Sequence, residues 1–149
     1  MNHLRTVAAM ALAWAAAIAS ADSSTCTITG TAGPIFGTYD VLSSLPVDAA
    51  GSINYSCTGS AKPEVMLSAG ISGSFATRTM ASGSSRLRYN LYLNAGRTQV
   101  WGDGSGGTST YQGPSGSQRS VPVFGRVPAL QADVGTGEYA DTIVVTFAF

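Results

Sequence analysis

Hydrophobic and polar positions alternate along this chain in short blocks, and no block of the mature part carries an apolar stripe at helical spacing. The strongest alternation runs from Leu87 to Asn94. Leu87, Tyr89, Leu91 and Leu93 share one side there, and Arg88, Asn90, Tyr92 and Asn94 share the other. A strand with one face in a core and the other largely wet has this pattern. Thr142 to Phe149 repeats it, with Ile143, Val145, Phe147 and Phe149 on one face and Thr142, Val144, Thr146 and Ala148 opposite. Ile53, Tyr55 and Cys57 mark a further strand, Val65 to Leu67 is a short apolar run closed by Ala69-Gly70, and Cys26 to Thr29 alternates weakly. Val121 to Val127 is expected as a strand that Pro122 and Pro128 confine to an edge or to its ends, because proline cannot donate to a ladder. Gly102 to Ser120, rich in Gly, Ser and Thr with Tyr111 as its one large side chain, is expected as a long flexible loop or loose hairpin. Short strands at this spacing predict an all-β fold, a sandwich of two antiparallel sheets with immunoglobulin-like topology favoured.

The one helix-like stretch is an address. Asn2, His3 and Arg5 lead into a wholly apolar run from Val7 to Ala19, and Ala19-Ser20-Ala21 offers the small-x-small pattern that signal peptidase needs. Residues 1–21 are therefore expected to be a signal peptide cleaved after Ala21, leaving residues 22–149 as one domain. The apolar run is shorter than the roughly 20 residues a bilayer crossing requires, and nothing later approaches that length. The mature chain is expected outside the cytoplasm with no membrane insertion.

Export places Cys26 and Cys57, the two cysteines of the chain, in an oxidising compartment, so a Cys26–Cys57 disulfide is the expected state. A metal site built on the same thiols would have no histidine to join them, because the single histidine, His3, leaves with the leader. Only 11% of residues are charged and the signs balance, so the surface carries no nucleic-acid footprint and is weakly protected against association.

Catalytic chemistry finds little support. Without a mature histidine the commonest proton shuttle is missing. Gly-x-Ser-x-Gly does not occur, and Lys62, the sole lysine, has no Ser-x-x-Lys partner. Asp40, Asp48, Glu64, Asp103, Asp133, Glu138 and Asp141 are dispersed, so a carboxylate pair for glycoside hydrolysis is weighed against turn-forming acids and loses to them. The run Gly102 to Gly107 has no helix start behind it to hold a phosphate and only Asp103 as a charged calcium ligand; it is expected to be a turn. Asn54-Tyr55-Ser56 matches the glycosylation tripeptide by coincidence, inside a predicted strand. Tyr89, Tyr92 and Trp101 are either an aromatic binding face or, as favoured, core and cross-strand packing. No catalytic residue, cofactor or metal site is assigned.

Spaced segments in a fixed order carry a resemblance. They are Phe36-Gly37-Thr38-Tyr39-Asp40, Gly51 to Cys57, Leu67-Ser68-Ala69-Gly70, Leu87 with Tyr89-Asn90-Leu91-Tyr92, Trp101-Gly102-Asp103-Gly104, Phe124-Gly125-Arg126, and Tyr139 with Asp141-Thr142. Together they resemble the spore coat protein U domain family, which includes subunits of archaic chaperone-usher pili. The resemblance implies an immunoglobulin-like sandwich lacking its last strand. It also implies a periplasmic chaperone, an outer-membrane usher and other pilus subunits as partners, and a place at the cell surface in adhesion and biofilm formation after passage through the periplasm. In such assemblies a chaperone and then a neighbouring subunit's N-terminal extension supply the strand. Ile143, Val145, Phe147 and Phe149 would then contribute to the floor of the acceptor groove. With cleavage after Ala21 only Asp22-Ser23-Ser24-Thr25 precedes Cys26, too short and polar to act as donor, so a position at a fibre end is expected. The alternative is a free-standing, self-complemented periplasmic binding module.

Overall fold

The computed structural model describes residues 23–149; the predicted leader lies outside the described residues. Eight strands follow one another: β1 (Cys26–Ala32), β2 (Val47–Cys57), β3 (Glu64–Leu67), β4 (Arg78–Ser82), β5 (Ser85–Tyr92), β6 (Tyr111–Gln112), β7 (Arg119–Val127) and β8 (Val145–Ala148), with a single 3-10 turn at Gly70–Ser72. They form a five-stranded sheet in the order β1-β2-β7-β5-β4 and a three-stranded sheet in the order β6-β3-β8. Every pairing between strands is antiparallel. The fold is the antiparallel, immunoglobulin-like sandwich expected from the alternation of the sequence.

The core forms where the alternating positions meet. Ile53, Tyr55 and Cys57 of β2, Leu87, Tyr89 and Leu91 of β5, and Val121, Val123 and Val127 of β7 are all buried, as are Val65 and Leu67 from β3 opposite. Each such side chain taken out of water contributes on the order of 2 kcal/mol. Trp101, fully buried in the loop after β5, ties the layers together. Its backbone N–H donates to Leu91 O at 2.9 Å in the larger sheet, and its indole Nε1 donates to Val65 O at 2.9 Å in the smaller one.

Three expectations change. The strand containing Pro122 is not at an edge: β7 lies at the centre of the five-stranded sheet. It pairs with β2 along its whole length but with β5 only from Phe124 to Arg126. Pro122 thus falls where β7 has a neighbour on one side alone, and Pro128 lies just past its end. The Gly-rich stretch after Trp101 is more ordered than a loose loop. It contributes β6 at the edge beside β3, Tyr111 packs on Trp101 with ring centroids 6.0 Å apart, and Ser105 donates to Asp103 Oδ1 from both N (2.9 Å) and Oγ (2.6 Å) in a local turn. The last strand is regular only from Val145, because Asp141 and Val144 are engaged elsewhere: Thr142 N donates to Asp141 Oδ1, and Val144 N donates to Ser68 Oγ. β4 carried no sequence signal.

β4 also brings in an unheralded residue. Arg78 is fully buried, with Nε and Nη2 donating to Ser68 O at 3.0 and 2.8 Å, Nη2 also to Trp101 O at 2.7 Å, and Nη1 to Asn90 Oδ1 at 2.7 Å. Its guanidinium lies over the Phe75 ring, 5.2 Å from the centroid. Burial holds its pKa below the ordinary value, and the planar fork satisfies two carbonyls and an amide that the sandwich buries between its layers.

The expected Cys26–Cys57 disulfide is formed, pinning the start of β1 to the end of β2 where the two residues stand opposite each other. It closes a sequence separation of 31 residues, so Cys26→Ser is expected to cost roughly 3 to 4 kcal/mol on the chain-entropy model, read as a lowered urea midpoint. Arg78→Met fits the site by size but strands the Ser68 and Trp101 carbonyls; a loss of about 2 to 4 kcal/mol is expected in the same assay, and Arg78→Lys is expected to rescue little of it. At alkaline pH the buried phenols set the limit. Burial pushes Tyr55 up to about 12 from 10.0, with neighbouring Tyr111 adding to the rise. The folded-state value is raised, so the stability it contributes is fully present below pH 10 and is lost as pH climbs through about 12. Urea midpoints measured from pH 8 to 12 should therefore fall above pH 10, and less steeply in Tyr55→Phe.

Candidate functional site: an apolar groove between the sheets

β8 pairs with β3 and, among the described residues, with no strand on its other side, so one row of its backbone groups faces away from the sheet. Beside this free edge the two sheets part, leaving a cavity of about 1050 Å³. Its floor is the inner face of the larger sheet, through Ile53, Met80, Leu87, Leu91 and Val123, while Leu67, Ile143 and Val145 come from the smaller sheet and the segment entering it. The volume lies at the top of the range for small-molecule sites, and the lining is an extended apolar surface without convergent polar groups on its floor.

The wall opposite β8 is the segment that follows β1. Phe36 is fixed there by edge-to-face packing on Tyr89, with ring centroids 6.1 Å apart. A Cβ at position 125 would come within 2.7 Å of the Phe36 ring, which is why β7 carries Gly125 under it. Tyr39 anchors the same wall, its hydroxyl donating to Pro128 O at 2.7 Å and accepting from Gln131 N at 3.2 Å. These contacts place two of the motif segments recognised in the sequence, Phe36 to Asp40 and Phe124 to Arg126, against each other.

The groove is acidic at its rim. Asp40, Glu138 and Asp141 line it, and no lysine or arginine does. Asp141 accepts from Ile71 N at 2.9 Å and Thr142 N at 2.7 Å through Oδ1, and from Tyr89 Oη at 2.6 Å through Oδ2. Burial, reinforced by the bond to Asp141, drives the Tyr89 phenol far above its usual value, so it remains a donor at every physiological pH. Elsewhere, on the outer face of the larger sheet, Arg126 grips Asp48 through Nε (2.7 Å) and Nη2 (2.8 Å), with Arg97 Nε 3.2 Å away. The Arg126 bonds hold the Asp48 carboxyl below its ordinary value.

The four residues singled out on the last strand divide. Ile143 and Val145 line the groove. Phe147 instead is half-buried and packs edge-to-face on Tyr55 at 5.6 Å, against the core, and Phe149 is 61% exposed. Tyr89, Tyr92 and Trp101 do not gather into one aromatic face: Trp101 and Tyr89 are buried in the core, and Tyr92 is half-buried at the end of β5. Phe36, Met80 and Asp141 are groove residues that alternation did not mark; the first and last lie in segments that carried the family resemblance. Among the described residues no cluster of three or more His, Cys, Asp or Glu suits a metal ion, and no helix is long and apolar enough to cross a membrane.

Comparison with known proteins bears on the whole chain. The Spore Coat Protein U domain matches residues 12–146. Protein U of Myxococcus xanthus is 37% identical over 127 residues, covering 76% of this chain and 70% of its own. Among solved structures, a chain of the CsuC–CsuE chaperone–tip adhesion subunit pre-assembly complex, from the archaic chaperone-usher Csu pili of Acinetobacter baumannii, superposes with a TM-score of 0.59 at 23% identity. That match covers 85% of this chain but spans only 40% of the matched one, and it supports the fold alone. On the profile match and the shared identity with Protein U, the chain belongs to the spore coat protein U domain family.

Proposed function

We propose that this protein is an exported structural or adhesive subunit of an archaic-type chaperone-usher pilus or a related surface coat, completed by a strand from another protein. The observation that carries it is the apolar groove beside the singly paired β8. An extended segment laid there would satisfy the free edge of β8 with main-chain hydrogen bonds, and every second side chain would reach Ile53, Leu87, Leu91 and Val123 on the floor. The family membership and the fold shared with a chaperone–subunit complex support the same assignment. The partners are a periplasmic chaperone, an outer-membrane usher and other subunits. Residues 1–21 direct export and are removed, and the four polar residues between that cut and Cys26 favour an accepting role at a fibre end. The protein works by assembly rather than by catalysis.

Ile143 and Val145, which line the groove, are the residues on which acceptance depends. Co-expression of the tagged precursor with its candidate chaperone is expected to yield a stable one-to-one periplasmic complex, with degradation or aggregation when the chaperone is left out. Val145→Asp should reduce the recovered complex roughly tenfold, since it places a charge on an apolar wall, while the Cys26–Cys57 bridge still forms. Size and mass of the purified species, with a thiol count, provide the readout. A well-folded monomer without chaperone would instead establish a self-closed binding module, and undiminished capture of the Val145 variant would remove the groove from the assembly step.

A further inference from the structure

We infer that the strand taken up by the groove belongs to a partner segment that is apolar at alternate positions and cationic at the end lying beside the start of β8. This rests on the strand-acceptor function proposed above and specifies the chemistry of what is accepted. The chain holds as many basic residues as acidic ones, so composition alone predicts a mixed lining. The groove is instead lined by Asp40, Glu138 and Asp141 with no basic residue beside them. None of the three makes a salt bridge among the described residues, where the ion pairs are those of Asp48 on the outer face. Arg78 feels the Asp141 charge through the core but makes no salt bridge to it: it is buried with its donors committed to Ser68, Asn90 and Trp101.

The acids are also gathered toward one end. Asp141 and Glu138 lie just ahead of Ile143, where the chain enters β8, and Tyr39 ties the wall bearing Asp40 to the connection that leads there by its bonds to Pro128 and Gln131. Asp141 is held by Ile71 N, Thr142 N and Tyr89 Oη and supplies fixed negative charge. Glu138 and Asp40 are exposed and able to meet an incoming side chain. A strand running antiparallel to β8 reaches this end with its own C-terminal residues. An acidic or neutral residue there forfeits an attraction that a lysine or arginine gains, and like charge is repelled.

The test appends the strand to the chain itself. A short Gly-Asn turn after Phe149 is followed by a nine-residue segment of alternating valine and threonine, about the span from Phe149 back to Asp141 at one strand repeat per residue. Two forms differ only in ending Lys-Lys or Glu-Glu, and both are compared with the unextended chain. Both tethers are expected to raise Tm over the unextended chain. The Lys-Lys form should exceed the Glu-Glu form by about 3 °C in low salt, as befits exposed ion pairs in a domain of this size. The difference should close in 1 M NaCl and in the Asp40→Asn, Glu138→Gln double variant. Equal stabilisation by the two tethers overturns the charge preference while leaving strand acceptance standing. No stabilisation by either removes both. An unextended chain that fills its groove with a second copy, seen as a dimer that the Lys-Lys tether does not dissociate, likewise overturns it.

Discussion

A sandwich is stable only if each sheet hides the apolar face of the other, and here a five-stranded sheet faces a three-stranded one. The inner residues of β2, β5 and β7 present a continuous apolar surface, and β6, β3 and β8 cover only part of it. What remains uncovered is the groove. The same imbalance leaves β8 with a neighbour on one side, so missing hydrogen bonds and missing apolar contacts fall in one place. One inserted strand would make good both deficits, which is the physical content of the assembly proposed for this protein.

Such a gap in the core demands that the rest be held firmly. The disulfide fixes β1 to β2, Trp101 bonds to both sheets, and Arg78 gathers the Ser68 and Trp101 carbonyls with the Asn90 amide between the layers. Trp101 and Arg78 act between the layers, and the disulfide acts within the larger sheet. A buried guanidinium is a costly way to join layers, and it is tolerated because its planar donors meet oxygens that would otherwise be stranded. The wall opposite β8 is set by packing of another kind: the Phe36 ring sits over Gly125 and against Tyr89, so a glycine in the central strand shapes the groove.

Charge then distinguishes one end of the groove from the rest. The chain is close to neutral, yet its acids at the groove and the Asp48, Arg97 and Arg126 cluster on the outer face lie on different surfaces. Main-chain bonding and apolar floor residues are indifferent to most details of a partner strand. A carboxylate rim is selective at little cost in affinity, because discrimination comes from penalising the wrong charge.

Alternation in β2, β5 and β8, the paired cysteines and the absence of helical stripes were enough to read an all-β, disulfide-linked sandwich from the sequence, because side-chain period and redox compartment are local properties. The ordered segments from Phe36 to Asp141 were enough to recognise the family. Tertiary structure alone decided the rest. β7 became central despite Pro122, since β5 stops short of the proline. β4 had no pattern of its own and was recruited by β5 and by the burial of Arg78. Ile143 and Val145 were separated from Phe147 and Phe149 although all four alternate perfectly, because one face of a short twisted strand meets the core, the groove and the solvent in turn. That Asp40, Glu138 and Asp141 border one groove lay hidden for the same reason: residues far apart in the sequence line a common surface only once the chain has folded.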